Sequence, residues 1–197
     1  YSNCIMYSKP VITVIVPAYN EEQCIGLCIK ALREQQTHLS YEIIVVDNNS
    51  TDNTGALARL GGVRVCLERR PGRAHGRQTG VRAARAEILA FTEADCVVSQ
   101  TWVNQIYSYF RLHPEIVGVS GSYRYINSAF FSSHIVSWML DGTSFVYKLF
   151  SGNYSFRGTN FAVRKDVLKK AGGFLQQSAP FDEVECGVRV GHYGSIQ

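Results

Sequence analysis

Short apolar runs alternate with amphipathic stretches along the chain, and that rhythm predicts strands alternating with helices in an α/β domain. Residues 11–16, VITVIV, form a continuous β-branched run suited to a strand buried on both faces, and Pro17 is expected to end it. Asn20 reads as the N-cap of the next helix, with Glu21 and Glu22 in its first turn and Ile25, Ile29 and Leu32 on its apolar stripe. EIIVV at 42–46 predicts a second strand, NNSTDNT a polar turn, and Asp52 to Leu60 a short helix. VRVCL at 63–67 predicts a third strand. PGRAHGRQTG, from Pro71 to Gly80, reads as a loop leading into a helix that runs to about Arg85. EILAFT at 87–92 predicts another strand, and WVNQIYSYFRL at 102–112 a helix with Trp102, Ile106, Tyr109 and Phe110 on one stripe. Residues 116–126 are strand-like, and 128–156 are crowded with aromatics and only faintly helical. TNFAVR at 159–164 predicts a strand, and Lys165 to Ala171 a short helix closed by Gly172 and Gly173.

A chain of 197 residues that is 46% hydrophobic can bury one substantial core but not two comfortable ones, so residues 1–197 are expected to form a single domain. The formal charge of +4 is too small and too dispersed for nucleic-acid binding, although it suits a phosphorylated substrate or an anionic membrane surface. The six cysteines show no zinc spacing; Cys24 and Cys28, one helical turn apart, read as small buried residues. Free thiols point to a reducing, cytoplasmic compartment. No apolar run approaches the ~20 residues of a membrane helix, and no signal peptide opens the chain. The start at Tyr1 rather than Met leads to the expectation that part of a longer protein is missing.

Candidate chemistry gathers where a parallel sheet binds ligands, at the carboxyl ends of its strands. Glu21 follows the first strand, Asp47 the second, and Glu93 and Asp95 the EILAFT strand. A strand-end aspartate is ordinarily a turn former, but three such positions on one edge form a pattern. A dinucleotide dehydrogenase needs GxGxxG after its first strand; VPAYNEEQ stands there instead, and a Walker A sequence is absent too. Phosphate must be neutralised otherwise. Glu93-Ala94-Asp95 offers paired carboxylate oxygens of the kind hard divalent cations take, in a position to bridge a diphosphate.

VIVPAYNEE, VVDNNSTDNT, FTEADC and GTNFAVRKDVLKKAGGF, in that order, resemble the characteristic segments of family 2 glycosyltransferases. The resemblance spans residues 11 to 190. It implies a GT-A (Rossmann-like) α/β fold with a mostly parallel central sheet flanked by helices, its nucleotide-binding half at about 11–97 and its acceptor-side half at about 98–197. Pro17, Ala18, Tyr19 and Glu21 would line a nucleoside pocket. Asp47 would read the base, and Asn48 stands where a second Asp is frequent. Gly72, Arg73 and Arg77 would lie near the nucleotide, the arginines helping to bind phosphate, although a solvated loop charge is an equal reading of each. Glu93, Ala94 and Asp95 match the family's DxD motif, with Asp95 the metal ligand for Mn2+ or Mg2+ and Glu93 facing the ribose or a metal-bound water. Cys96 reads as a bystander. Glu183 falls at the catalytic-base position, with Asp182 as the fallback and a helix first turn as the plainer reading of the acidic run. Thr159 and Asn160 would contact donor sugar or acceptor, and Phe174 would pack the turn after Gly172-Gly173.

The resemblance further implies transfer of a sugar from a nucleotide-sugar donor, a UDP-sugar favoured, to a saccharide or lipid-linked acceptor hydroxyl, with inversion. Trp138, in the aromatic span from Tyr123 to Phe161, is the acceptor-side candidate, and that span also suits peripheral contact with the inner face of a membrane. Ordinary core packing is the plainer reading of most of its rings. Two other functions remain: a non-catalytic nucleotide-sugar-binding domain, given Asn48, Glu93 and Glu183 where Asp is common, and a nucleotidyltransferase. The latter would need a glycine-rich, lysine-bearing loop after the first strand, which VPAYNEEQ is not.

Overall fold

A computed structural model describes residues 9–121, 155–156, 158–175 and 182–197. The first half alternates as the pattern predicts: β1 (Ile12–Ala18), α1 (Ile25–Arg33), β2 (Tyr41–Asp47), α2 (Thr54–Leu60), β3 (Arg64–Leu67), α3 (Arg73–Ala83) and β4 (Ile88–Thr92). α4 (Trp102–Leu112), β5 (Ile116–Ser120), β6 (Asn160–Arg164), α5 (Lys165–Lys170), α6 (Asp182–Gly191) and β7 (Ser195–Ile196) follow. The described strands form one seven-stranded sheet in the order β3-β2-β1-β4-β6-β5-β7. β1 pairs in parallel with β2 and β4, β2 with β3, and β5 with β7. β6 runs antiparallel to both of its neighbours, β4 and β5. A mostly parallel sheet flanked by helices is therefore the observed architecture.

Helices cover both faces, which explains why β1 and β4 are apolar without alternation. On one face α1 and α4 pack Ile25, Ile29, Leu32, Trp102, Val103 and Phe110 against Val14, Val16 and Ala90. On the other, α3, α5 and α6 pack Val81, Leu168 and Val190 against Ile15, Leu89, Phe91 and Phe161. Each fully buried aliphatic side chain contributes about 1.5–3 kcal/mol. α3 comes close to β1 because Gly80 faces it: a Cβ there would overlap the Ile15 side chain.

Three local expectations are corrected. β1 does not end at Pro17 but continues to Ala18, with Pro17 opposite Val46. The Ala18 carbonyl accepts from Asn48 on the β2 side, so Pro17, one residue earlier, turns its missing N–H towards β4, where pairing has already stopped at Ile15. Asn20 is not the cap of α1, which begins at Ile25 with no acid in its first turn. Asn20 instead adopts φ 56°, and its Oδ1 accepts from the Thr51 N–H at 2.8 Å. Asparagine tolerates that conformation, and the neighbouring loop offers it a better partner than a helix end. Finally, most of the stretch read as a loop at Pro71 to Gly80 is helical from Arg73 onward. Its glycines mark close packing against β1 rather than irregular chain. Trp138 and most of the aromatic span lie outside the described residues. Phe156 and Phe161 are buried and stacked at 4.6 Å, as core packing predicts for them.

Candidate active site

The parallel strands β1, β2 and β4 deliver their carboxyl ends to one edge, and a cleft of about 510 Å³ opens there. Pro17, Ala18, Tyr19 and Glu21 form its β1 wall, and Asn48 and Asn49 its β2 wall. Pro71, Gly72 and Arg73 enter from the start of α3, and Glu93, Ala94 and Asp95 from the end of β4. Gly72 holds φ 115°, which a side chain would strain. Tyr19 is 58% exposed, leaving a ring face free to stack on a planar group.

Two loops are laced together beside the β1 wall. The Glu21 N–H donates to Thr54 Oγ1 at 2.7 Å, the Glu22 N–H to Asp52 Oδ2 at 3.1 Å, and the Asn53 N–H to Glu22 Oε2 at 3.1 Å. Asp47, expected at the base, does not line the cleft. Its Oδ1 accepts from the Ser50 N–H at 2.9 Å, and its other oxygen lies against Gly55, so it shapes the turn into α2. Asn48 donates through Nδ2 to the carbonyls of Glu68 (3.1 Å) and Arg70 (2.6 Å), anchoring the segment that leads to Gly72. That segment is fixed again by the buried Glu68, which accepts from the Arg70 side chain and backbone and from Thr79 Oγ1.

The ExD residues divide their tasks. Glu93 Oε1 accepts from Arg73 at 3.0 Å and from Arg77 at 3.2 Å. Asp95 is exposed, and among the described residues no lysine or arginine pairs with it. The Cys96 thiol donates to Asp95 Oδ1 at 3.5 Å; burial, then the Asp95 charge, pushes it up to about 12, so it stays protonated at neutral pH. Burial raises the Glu21 carboxyl above its ordinary range, and Asp95 and Glu93 raise it further. Acidic side chains that follow β1 and β4 thus line one cleft. Among the described residues, no group of three His, Cys, Asp or Glu side chains could enclose a metal. One exposed carboxylate fits a different arrangement, a hard cation held mainly by substrate phosphate oxygens and water.

Arg77 does not line the cleft; it lies beneath it, fully buried. Its Nη1 donates to Asp182 Oδ2 at 2.7 Å and Glu183 Oε2 at 2.9 Å, and its Nη2 to Glu93 Oε1 and to the Gly158 carbonyl at 3.2 Å. The Phe161 and Phe174 rings stand 6.0 and 5.8 Å from the guanidinium carbon. Thus the first turn of α6 is brought beside Glu93. The Asp182 side chain is 1% exposed and that of Glu183 14%. Burial holds the Asp182 carboxyl above its ordinary value, with Arg77 opposing the shift. Asn160 sits opposite Thr92, immediately before Glu93, and its Oδ1 accepts from Trp102 Nε1 at 2.9 Å. Thr159 Oγ1, buried, has no hydrogen-bond partner among the described residues. Sequence reading missed Asn49 and Pro71, which line the cleft. Both flank residues it did select, and Trp102, read as part of a core stripe, is buried in the core while its Nε1 holds Asn160.

The model of the family "Glycosyl transferase family 2" matches residues 13–172. Glycosyltransferase AglE of Haloferax volcanii is 29% identical over 174 residues, covering 84% of this chain and 56% of that protein. Probable glycosyltransferase YdaM of Bacillus subtilis is 26% identical, covering 96% and 48%. The chain thus spans about half the length of these curated relatives. Among solved structures, mannosyltransferase PcManGT from Pyrobaculum calidifontis, in complex with GDP-Man and Mn2+, superposes with a TM-score of 0.74 at 24% identity, over 96% of this chain and 55% of that one. Glucosyl-3-phosphoglycerate synthase from Mycobacterium tuberculosis, in complex with Mn2+, UDP and glucosyl-3-phosphoglycerate, gives 0.68 at 23%, over 96% and 69%. TarS 1-349 of S. aureus, in complex with UDP-GlcNAc, gives 0.70 at 17%, over 94% and 54%. These similarities establish the GT-A fold.

Proposed function

Because the chain belongs to glycosyltransferase family 2, we propose that it transfers a sugar from a nucleoside-diphosphate sugar to an acceptor hydroxyl, with inversion at the anomeric carbon. The observation that carries this reading is the convergence of carboxylates from β4 and α6 beside a cleft of suitable size. The nucleoside lies between Tyr19 and the Asn48–Asn49 wall, and the diphosphate points towards Arg73 and Asp95. Asp95 would hold a divalent cation, Mn2+ or Mg2+, which when bound would supply neutralising charge for the diphosphate. Glu183 is the general base. Asp182 is almost fully enclosed, whereas Glu183 retains exposure and an Oε1 that accepts no hydrogen bond from a described residue. The acceptor oxygen forms a bond to the anomeric carbon as the bond from that carbon to the diphosphate oxygen breaks. Glu183 takes the hydroxyl proton, and the nucleoside diphosphate departs.

UDP-sugars are the first donors to test, since two of the three superposed structures hold UDP or UDP-GlcNAc, with GDP- and dTDP-sugars next. The acceptor is a saccharide or a lipid-linked saccharide. Thr159 contacts donor or acceptor, its buried hydroxyl being without a partner among the described residues. The free cysteines among the described residues support a cytoplasmic setting, and a lipid-linked acceptor would bring the protein to a membrane surface. No helix among the described residues is long and apolar enough to cross a membrane.

Thermal-shift measurements with UDP, GDP and their sugars, with and without Mn2+, test the donor assignment, because a ligand that binds the native state raises the melting temperature. The expected result is a metal-dependent shift accompanied by nucleotide release from one donor. A shift without release would mark a binding domain, and no shift with any nucleotide would overturn the reading.

A further inference from the structure

We infer that Arg77 is a positioning residue that locks the donor-side segment Glu93–Asp95 to the base-bearing first turn of α6, an inference that rests on the donor and base assignments above. One planar guanidinium reaches four groups drawn from three separate parts of the chain: Glu93 after β4, Gly158 before β6, and Asp182 and Glu183 on α6. Their sequence separations from Arg77 are 16, 81, 105 and 106 residues. Its two Nη atoms divide the work, Nη1 serving α6 and Nη2 the other two segments. A lysine ammonium is a point charge and cannot hold two segments at fixed angles in this way. Phe161 and Phe174 close around the guanidinium, so its orientation is set by packing as well as by charge.

Gly158 completes the arrangement. A Cβ at this position would stand 2.9 Å from Glu183 Oε1 and 3.1 Å from Arg77 Nη2. The absence of a side chain lets the carboxylate of Glu183 and the guanidinium share one space. Arg77 does not line the cleft; it holds Glu183 through Oε2 and leaves Oε1, which accepts no hydrogen bond from a described residue, to face the acceptor. It sets where Glu183 stands relative to Glu93 and, through the backbone, to Asp95.

Two variants and two readouts test the assignment. Arg77→Lys keeps the charge and removes the fork. Gly158→Ala keeps Arg77 and displaces the flexible end of Glu183. Both are expected to lower kcat by about 10²-fold or more, the scale of a general base's contribution, while KM for the donor stays unchanged. Hydrogen exchange supplies a readout that needs no turnover. In the wild-type protein, UDP with Mn2+ is expected to protect amides both at Glu93–Asp95 and along α6. In Arg77→Lys, protection should remain at Glu93–Asp95 and disappear from α6. A kcat within tenfold of wild type in both variants, a KM that rises in step with lost kcat, or α6 protection that survives in Arg77→Lys would each overturn the positioning role. Absence of nucleotide protection and of turnover in the wild type would instead overturn the donor reading, and the positioning role with it.

Discussion

The two ends of the cleft are built differently. The end proposed to hold the nucleoside is made of strand termini and short loops that satisfy one another: Asn20 binds Thr51, Glu21 binds Thr54, and Asn48 binds the carbonyls ahead of Pro71. Its polar partners stand at the ends of adjacent strands and range from the exposed Asn20 and Thr51 to the buried Asn48 and Thr54. The end proposed to carry the chemistry is made of enclosed charge, with three carboxylates drawn around one buried guanidinium. An exposed loop can lose a hydrogen bond to water at little cost, whereas a buried charge that loses its partner costs about 3–5 kcal/mol. The exposed Asn20–Thr51 lacing at the first end is therefore adjustable, whereas the geometry at the second is tightly held.

The largest expected break in this comparison is Glu183→Gln. Turnover should fall by about 10²–10⁴-fold, with nucleotide affinity unchanged by calorimetry, because only the chemical end has been altered. Normal turnover would move the base elsewhere, with Asp182 the next candidate. Asp95→Ala acts at the boundary between the two ends. Donor affinity in Mn2+ should weaken by about tenfold or more, equivalent to about 1.4 kcal/mol, and should not change in EDTA. Equal affinities in Mn2+ would remove Asp95 as the metal ligand.

The smallest effect sharpens the nucleoside end. Hydrogen bonds from Arg70 and then Thr79 hold the Glu68 carboxyl well below the ordinary glutamate range, against the opposing effect of burial. Its contribution is thus present above the unfolded pKa of about 4.3 and is lost as pH falls from there towards the depressed native value. Glu68→Gln should lower the melting temperature at pH 7 by about 2–4 °C. The difference from wild type should shrink as the pH is lowered below about 4. A gap that stays constant in acid would show that Glu68 acts by packing rather than by charge.

The same division governed how much could be read from the chain. VITVIV, EIIVV and EILAFT are apolar because both faces of their strands are covered, so strand identity and the position of Glu93 and Asp95 at a strand end were legible. The α4 boundaries were also legible, since its stripe repeats with the helical period. Pro17, Asn20 and the glycines of α3 were misread locally, because each has a turn-forming meaning that its tertiary neighbours override. Asp47 carries the family motif, yet its carboxylate is committed to the Ser50 turn.

By itself, the sequence determined the alternation of elements, the parallel half of the sheet and the acidic edge, because periodic burial and strand-end chemistry are short-range properties. Only the tertiary structure decided that β6 runs against its neighbours, that Glu183 rather than Asp182 keeps an exposed edge, and that Arg77 lies buried among carboxylates instead of facing a phosphate. A charged residue in a sequence looks the same whether water or a partner 105 residues away will neutralise it. That choice is made by desolvation when the chain closes around it.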